Sequence, residues 1–582
     1  MRFVREAREL VAQTASPEYA LARVNYLEAS IEFQMIDWES VTAEDLAAIK
    51  DLTTKIVELN RRARADGLEV LPTALLLAQI NGLLSWHNYS VDPDAVQELA
   101  DSFNLVTEGQ AKLLQAFATG DKAAETIQTL SLNLSRTRYT EDYGTDINVI
   151  ALLARRALKI TANSGNVIET LFLLEWLTDL SLNTPESDQF TSSAETRLVE
   201  HVFRTSTERA VQRAYTNQQQ EQEKLSELAM QSDPSLKVSS RYPDSAEALG
   251  EYLQQISNEG IDVHSLGLSD DGSLVRVRAQ AGILSLSIES EDVFDAAAYY
   301  SWTKQFPYQY RCFNTSEPFG LNEVEQSMAR IGITGGSSGR PMLLIPDVRL
   351  QNIPPNLMLV DGRIAGLDFP IGVAPSLSWL KGIRSIEYVA THYRTAWIPV
   401  PHDEPILQTL AEDLADPLAN YKFVVSHDRL TPGEMRNSDI AVIGAHGGLQ
   451  EGNEWFRAVT DDRSTRFSAR DIATKLRGCG VVILFVCSGG RIDQHPFASA
   501  GVGLSQLLLD HGCRTVLASP WPVQVTVAAH WLPTFLEAYV QGQAVIEANY
   551  LANKNVATRL NPHPMLSLAM NVFGDPLTRI EG

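Results

Sequence analysis

Two residues in the second half of the chain have the type and the setting for nucleophilic chemistry. Ile440-Ala441-Val442-Ile443 is an apolar run that leads into Gly444-Ala445-His446-Gly447-Gly448, and Val481 to Val486 is another that leads into Cys487-Ser488-Gly489-Gly490. Each run has strand length and ends on one reactive side chain followed by glycines, which let the backbone turn sharply and come close to a substrate. If the two strands are neighbours, an imidazole meets a thiol at one edge of a sheet. A histidine so placed promotes the thiolate, the reactive form, and later returns the proton to a leaving amine. The backbone N–H groups of Gly447 and Cys487 are then natural donors to the oxyanion of an acyl intermediate. Taken singly, each residue also has an ordinary structural reading. A cysteine closing a buried strand is a small core residue, and a histidine satisfies a local hydrogen bond. Both at glycine-flanked strand ends is a rarer coincidence, and it favours a Cys487–His446 dyad.

Other signals are less complete. Gly335-Gly336-Ser337-Ser338-Gly339 matches G-x-S-x-G, whose serine needs a strand before it and a helix after it. Here a helical stretch precedes and Arg340-Pro341 leads into a strand, so Ser337 reads as part of a loop, with serine hydrolysis as a rival chemistry. No Gly-Lys-Ser/Thr follows to make a phosphate loop. His495, His511 and Cys513 lack metal-ligand spacing, and no metal or other cofactor is expected. His427-Asp428 follows another strand end and fits a cleft lining or a simple turn.

The elements that must position the dyad alternate. Paired strands are expected at Val275 to Ala279 and Leu284 to Ile288. Apolar runs of strand length follow at Met342 to Ile345, Ile386 to Val389, Phe423 to Val425, Ile440 to Ile443, Val481 to Val486 and Thr515 to Ala518. Helical stretches lie between several of them: Asn322 to Arg330, Ser376 to Leu380, Pro405 to Leu414, Ala469 to Leu476 and Gly503 to Leu509. Short, fully apolar strands separated by helices predict a mostly parallel sheet covered on both faces, with chemistry at the carboxyl ends of its strands. The 41 positions from His446 to Cys487 leave room for one crossover helix.

The first part of the chain reads differently. Helical patterns cover Arg5 to Ala12, Tyr19 to Ile36, Ala43 to Ala65, Ala74 to Trp86, Ala95 to Phe117 and Val167 to Leu182, separated by Pro17, Gly67, Pro72, Pro93, Gly120, Gly144 and Pro185. Ile147, Ile150, Ala151, Ala154 and Leu158 fall on one stripe, with Arg155, Arg156 and Lys159 off it. Stacked helix pairs suit this pattern, although any repeats are degenerate, with no fixed period. A polar helix face from Asn217 to Lys224, broken by Ser232-Asp233-Pro234-Ser235 and followed by loop-like Ser239 to Ser245, places a boundary near residue 240. The expected organisation is an all-helical domain over 1–235 and an α/β domain over 240–582.

Composition narrows the function classes. The 582 residues carry 72 acidic and 48 basic side chains, a formal charge of −24, which argues against nucleic-acid binding as the main activity. The short basic stretch Arg61-Arg62-Ala63-Arg64 reads as a solvated helix face. The N-terminus lacks a secretory signal pattern, and Val167 to Leu182 is too short and too charged to span a bilayer. Four cysteines, Cys312, Cys479, Cys487 and Cys513, form no C-x-x-C pair, so a disulfide framework and the common zinc-finger spacings are excluded. A cytoplasmic, non-membrane protein with reduced thiols is expected.

The second half resembles the CHAT domain proteins, relatives of caspases and separase. The resemblance runs through Leu343-Leu344-Ile345-Pro346-Asp347, Asn352-Ile353-Pro354 and Ala374-Pro375-Ser376-Leu377, then through the His446 and Cys487 turns. It continues in Gly503-Leu504, Gly512-Cys513-Arg514-Thr515-Val516, Ser519-Pro520-Trp521-Pro522-Val523 and Val572-Phe573-Gly574-Asp575-Pro576. It implies a caspase-like fold in which His446 is the base and Cys487 the nucleophile of a peptide-bond hydrolase. Many relatives have an acidic residue shortly after the Trp-x-Val stretch, where this chain has Gln524 and Val525. Metacaspase-like enzymes often carry Asp two residues before the cysteine, where Phe485 stands. A pocket for Arg or Lys needs a carboxylate, so the expected pocket prefers a neutral, apolar residue, with Phe485, Trp521, Gln524 and Val525 as candidate lining. Phe485 and Trp521 read equally well as core.

The expected function is therefore a cysteine endopeptidase acting on a protein substrate. No removable pro-segment is evident, so restraint is assigned to a partner or ligand at the N-terminal helices. The resemblance suggests a bacterial defence or programmed-death setting. The alternative is a catalytically silent caspase-like scaffold acting through protein–protein contacts.

Overall fold

A computed structural model describes residues 43–66, 70–86, 89–103, 142–178, 245–306, 328–335, 339–388, 390–400, 404–428, 435–450, 453–460, 466–494, 501–561 and 563–580, with short pieces in 24–33 and 114–127 and residue 326. Ser337, Cys312, His495, the Arg5 to Ala12 stretch and the expected boundary near 240 lie outside these residues. The chain divides into two compact units, one made of 1–138, 149–160 and 269–272, the other of 139–148, 161–268 and 273–582.

The first unit is helical. Helices α1 (Ala43–Ala65), α2 (Leu71–Trp86) and α3 (Pro93–Phe103) pack together, and α4 (Asp142–Asn163) contributes its middle turns. Ile49, Leu52 and Ile56 from α1 meet Leu77, Ile80 and Leu84 from α2 and Ala95 from α3 in one buried cluster, at the three- and four-residue spacing that puts side chains on one helix face. Beside it Asn60 donates to Glu98 at 2.9 Å and to Ser102 at 2.8 Å. The basic stretch is tied into this network. Arg61 and Arg64 each reach Glu98 at 3.1 Å, Arg64 also reaches Asp101 at 3.2 Å, and Ala63 is buried. Two of the three guanidiniums expected on a solvated face are thus committed to carboxylates of α3. The apolar stripe of α4 is wider than its sequence implied. Ala151, Ala154 and Leu158 are buried, but so are Arg155 and Arg156. Arg156 is neutralised by Asp270 at 3.1 Å within the same unit.

Among the described residues, the second unit is built on a 13-stranded sheet. Its strands are β1 (Asp262–Leu268), β2 (Leu274–Gln280), β3 (Ile283–Ile288), β4 (Met342–Pro346), β5 (Ile371–Val373), β6 (Arg394–Trp397), β7 (Val424–Ser426), β8 (Ile440–Gln450), β9 (Asn453–Thr460), β10 (Arg466–Ser468), β11 (Val481–Val486), β12 (Thr515–Ala518) and β13 (Asn571–Gly574). The order across the sheet is β7-β6-β8-β11-β12-β13-β5-β4-β1-β2-β3, with β9 and β10 extending antiparallel from the end of β8. The centre is mostly parallel. β13 runs antiparallel to β12, β2 and β3 pair as expected, and β1, which is not among the expected strands, adds antiparallel to β2.

Helices cover this sheet: α5 (Val167–Leu177), α6 (Ala246–Asn258), α7 (Ala296–Gln305), α8 (Leu377–Ser385), α9 (Pro405–Asn420), α10 (Ala469–Lys475), α11 (Leu504–Asp510), α12 (Val525–Val540) and α13 (Val545–Arg559). The fold class is therefore a helical N-terminal region followed by a mixed α/β unit with a mostly parallel sheet. α5, from the stretch read as part of the helical domain, packs on α6 and β1. Its buried Glu175 accepts from the backbone N–H groups of Leu377 at 3.1 Å and Ser378 at 2.7 Å. A carboxylate at those otherwise unpaired N–H groups caps the start of α8.

Several expected elements differ. Residues 386–388 are not a strand, since Ile386 closes α8 and the Tyr388 hydroxyl donates to Asp439 at 2.9 Å. The strand that borders β8 on the side away from β11 is β6. α9 runs six residues past Leu414, through Pro417, and α2 begins before Pro72.

Candidate active site

β8 and β11 are parallel neighbours paired from Ile440↔Val481 to Ala445↔Val486. All six residues of β11 are buried, as are Ile440 to Ala445 of β8. His446 and Cys487 lie one step beyond the last pair at the carboxyl edge of the parallel sheet. His446 is within β8, which runs on to Gln450 instead of turning at its glycines as expected, and Cys487 is just past β11. Equivalent register on neighbouring strands, about 4.8 Å apart, puts two side chains on the same face. The strand ends are in close contact. An ideal Cβ at Gly447 would stand 2.2 Å from the Cys487 carbonyl oxygen and 2.6 Å from Val486 Cγ1, so only glycine fits there.

The turn after Cys487 is held by its neighbours. Ser488 takes φ +57°, in the left-handed region. Its N–H donates to the Trp521 carbonyl at 3.2 Å, and the Gly490 N–H donates to the Ser519 carbonyl at 2.9 Å. The 519–523 segment is fixed in turn, since the Trp521 indole N–H donates to the Met565 carbonyl at 2.8 Å. It brings Val523 alongside Cys487, whose half-buried thiol donates to the Val523 carbonyl at 3.9 Å. Burial pushes the Cys487 thiol up, against an opposing pull from backbone hydrogen bonding at Val523 and Cys487. Among the described residues no hydrogen bond joins the thiol to His446.

The imidazole faces a carboxylate that sequence reading missed. His446 Nε2 is 3.2 Å from Glu404 Oε1, and Glu404 is only 8% exposed. The approach is off hydrogen-bond direction, and Nε2 has no hydrogen-bond partner among the described residues.

The pocket candidates separate. Phe485 is buried and meets Trp531 of α12 edge to face, at 6.0 Å between ring centroids, which makes it core. Trp521 is fully buried against Phe306 and shapes the site through its backbone. Gln524 is exposed and Val525 half-buried at the entry to α12, next to the Val523 contact. His427 Nδ1 lies 2.9 Å from the Ile398 carbonyl oxygen, a local turn contact. Among the described residues no group of three or more His, Cys, Asp or Glu side chains is placed to hold a metal ion.

The CHAT domain family model matches residues 321–564, a span that contains His446, Cys487, Glu404 and Val523. Residues 321–564 are thus similar to a CHAT domain. The sheet extends beyond those limits, because β1 to β3 and β13 belong to it. A comparison with curated proteins finds no match. Among solved structures, a chain of the Saccharomyces cerevisiae separase–securin complex is 10% identical, with a TM-score of 0.38, covering 96% of this chain and 53% of its own. This chain thus spans about half the length of that one. The Arg-specific cysteine proteinase gingipain R is 13% identical, with a TM-score of 0.28, covering 45% of this chain and 68% of its own. No helix among the described residues is long and apolar enough to cross a membrane.

Proposed function

We propose that the CHAT domain is a cysteine endopeptidase with Cys487 as nucleophile and His446 as base. The observation that carries this reading is the placement of both residues one step past the Ala445↔Val486 pair. There a thiol and an imidazole share one face of the sheet edge. The reaction begins with transfer of the thiol proton to the imidazole. Thiolate attack on the scissile carbonyl forms the tetrahedral intermediate, and its collapse releases the amine, which takes the proton from the imidazolium. The N–H groups of Gly447 and Cys487 are the candidate oxyanion donors. Water then attacks the thioester, with the imidazole again as base.

For the residue before the scissile bond, the reading is a neutral, apolar side chain, with Gln524 and Val525 at the rim beside Val523. A preference for Arg, Lys or Asp there would overturn it. The helical N-terminal region is proposed to receive the partner that relieves restraint, in a bacterial defence setting. The test is co-expression with a candidate protein substrate, with new N-termini read by mass spectrometry. Cuts present with the wild type and absent with Cys487→Ala and His446→Ala are expected. Undiminished cutting in either variant refutes the dyad.

A further inference from the structure

Glu404 stands at the residue that opens α9, with φ −120° and ψ 85°, and its backbone carbonyl accepts from Gln408 at 3.2 Å. An acidic side chain at that place ordinarily folds back onto the helix's free N–H groups. Here it makes no capping hydrogen bond. The carboxylate is directed at His446, with Oε1 3.2 Å from Nε2.

The packing of α9 on β8 brings the two together. An ideal Cβ at Gly444 would lie 2.7 Å from Leu410 Cδ2 and 3.2 Å from Ile398 Cγ1, so the helix and the chain after β6 sit directly on that strand. Two residues further along β8 comes His446. The glycine at 444 thus permits the close approach that delivers Glu404, the residue just before α9, to the imidazole. The carboxylate is nearly sealed from water, and the ring nitrogen it faces is buried without a hydrogen bond among the described residues. Such a nitrogen gains most from the partner beside it. Among the described residues, the titratable group placed beside the ring is Glu404, just before α9; Cys487 follows the strand that neighbours β8.

We infer that Glu404 is a positioning residue for the His446 base, an inference that rests on the peptidase reading of the same site. A ring rotation aligns the 3.2 Å approach into an Nε2–H···Oε1 hydrogen bond. That bond keeps the proton on Nε2 and leaves the Nδ1 lone pair for the thiol. Once Nδ1 takes the thiol proton, the ring is cationic and the carboxylate beside it offsets the charge. On release of the amine the Nδ1 proton departs, and the neutral Nε2–H ring returns. Glu404 itself neither gains nor loses a proton.

The test uses the full-length protein as wild type, Glu404→Ala, Glu404→Asp, Cys487→Ala and His446→Ala, with thermal melting as the check on folding. The ring tautomer is read by nitrogen-15 NMR of labelled histidine, the His446 signals being assigned by their loss in His446→Ala. The expected result is a neutral Nε2–H ring in the wild type and Glu404→Asp and a mixture of tautomers in Glu404→Ala. Cleavage of the co-expressed substrate in Glu404→Ala falls about 100-fold, through kcat rather than KM, with partial recovery in Glu404→Asp. An unchanged tautomer together with wild-type kcat in a folded Glu404→Ala overturns the inference and leaves the dyad standing. Cutting that persists in Cys487→Ala overturns the peptidase reading instead, and the tautomer measurement still decides what Glu404 does to the ring.

Discussion

The Cys487 thiol donates to the Val523 carbonyl oxygen, 3.9 Å away, and among the described residues it has no hydrogen bond to His446. The structure is therefore of a resting thiol held by its own backbone surroundings, with the imidazole turned to Glu404. In the proposed mechanism, transfer of its proton to His446 requires the sulfur to leave Val523 and meet the ring.

This arrangement predicts how the thiol responds to pH. Burial raises its pKa above the ordinary thiol range, so the reactive thiolate is scarce at neutral pH. Alkylation of Cys487 by iodoacetamide should be slow at pH 7 and climb about tenfold per unit as pH rises, while the thiol form dominates. Mass spectrometry of the Cys487 peptide over time gives the rate at each pH. A rate already level from pH 6 to 8 would mean that a thiolate–imidazolium pair exists at rest, and the resting description would be wrong.

Cys479 and Cys513 should behave differently. They precede β11 and β12 at the opposite end of the strands, and the Arg514 N–H donates to the Cys479 carbonyl at 3.0 Å. Both are fully buried, and their thiols donate to the Met435 and Leu476 carbonyls at 3.2 and 3.1 Å. Burial, with the neighbouring Cys479 thiol, holds Cys513 well above the usual thiol range. In native protein at pH 8, labelling should reach Cys487 first and leave these two unmodified until denaturant is added. Comparable labelling of all three in folded protein contradicts this order.

How far the sequence discloses the site follows from where the signal is local. The first part of β8 and all of β11 are unbroken apolar runs that lead into glycine-flanked reactive residues, and their pairing requires only that neighbouring apolar strands share a sheet. That β8 continues past His446 to Gln450 is not legible in the glycines that follow it. β1 carries no such run, because Asp262, His264 and Ser265 are buried in it; Asp262 is ion-paired to Arg278 at 3.0 Å on β2. β6 is short, and its Arg394 and Thr395 disguise it, while the more apolar 386–389 run draws attention in its place. Glu404 is the instructive omission. Glu-Pro before a helical pattern reads as a helix start, and that is where it lies. Its relation to His446, 42 positions on, exists only because Gly444 lets α9 sit close on β8.

Gly447 offers a direct test of the contact between the two strand ends. A methyl group there would lie 2.2 Å from the Cys487 carbonyl oxygen and 3.0 Å from its amide nitrogen, backbone atoms that cannot swing aside. Gly447→Ala should cost about 2 kcal/mol in urea unfolding and abolish cleavage by separating His446 from Cys487. Gly489→Ala, whose nearest contact would be 3.2 Å, should be milder in both. Equal effects of the two substitutions would show that the contact at Gly447 does not set the spacing.

The last prediction concerns Glu175, which holds the start of α8 from α5. Its two oxygens accept from Ser378 at 2.7 Å and Leu377 at 3.1 Å, and the side chain is fully buried. Removing it leaves N–H groups in the interior without an acceptor, and a charge-assisted hydrogen bond lost in this way costs about 2 kcal/mol. Glu175→Ala should therefore destabilise the second unit by roughly 3 kcal/mol, allowing for the two bonds being less than additive. Glu175→Gln keeps one acceptor oxygen and should lose about half as much. Urea unfolding followed by tryptophan fluorescence measures both, since Trp379 is buried in α8. If alanine costs no more than glutamine, the helix start draws its stability from Ser376 alone, whose hydroxyl accepts from Trp379 N–H at 2.9 Å.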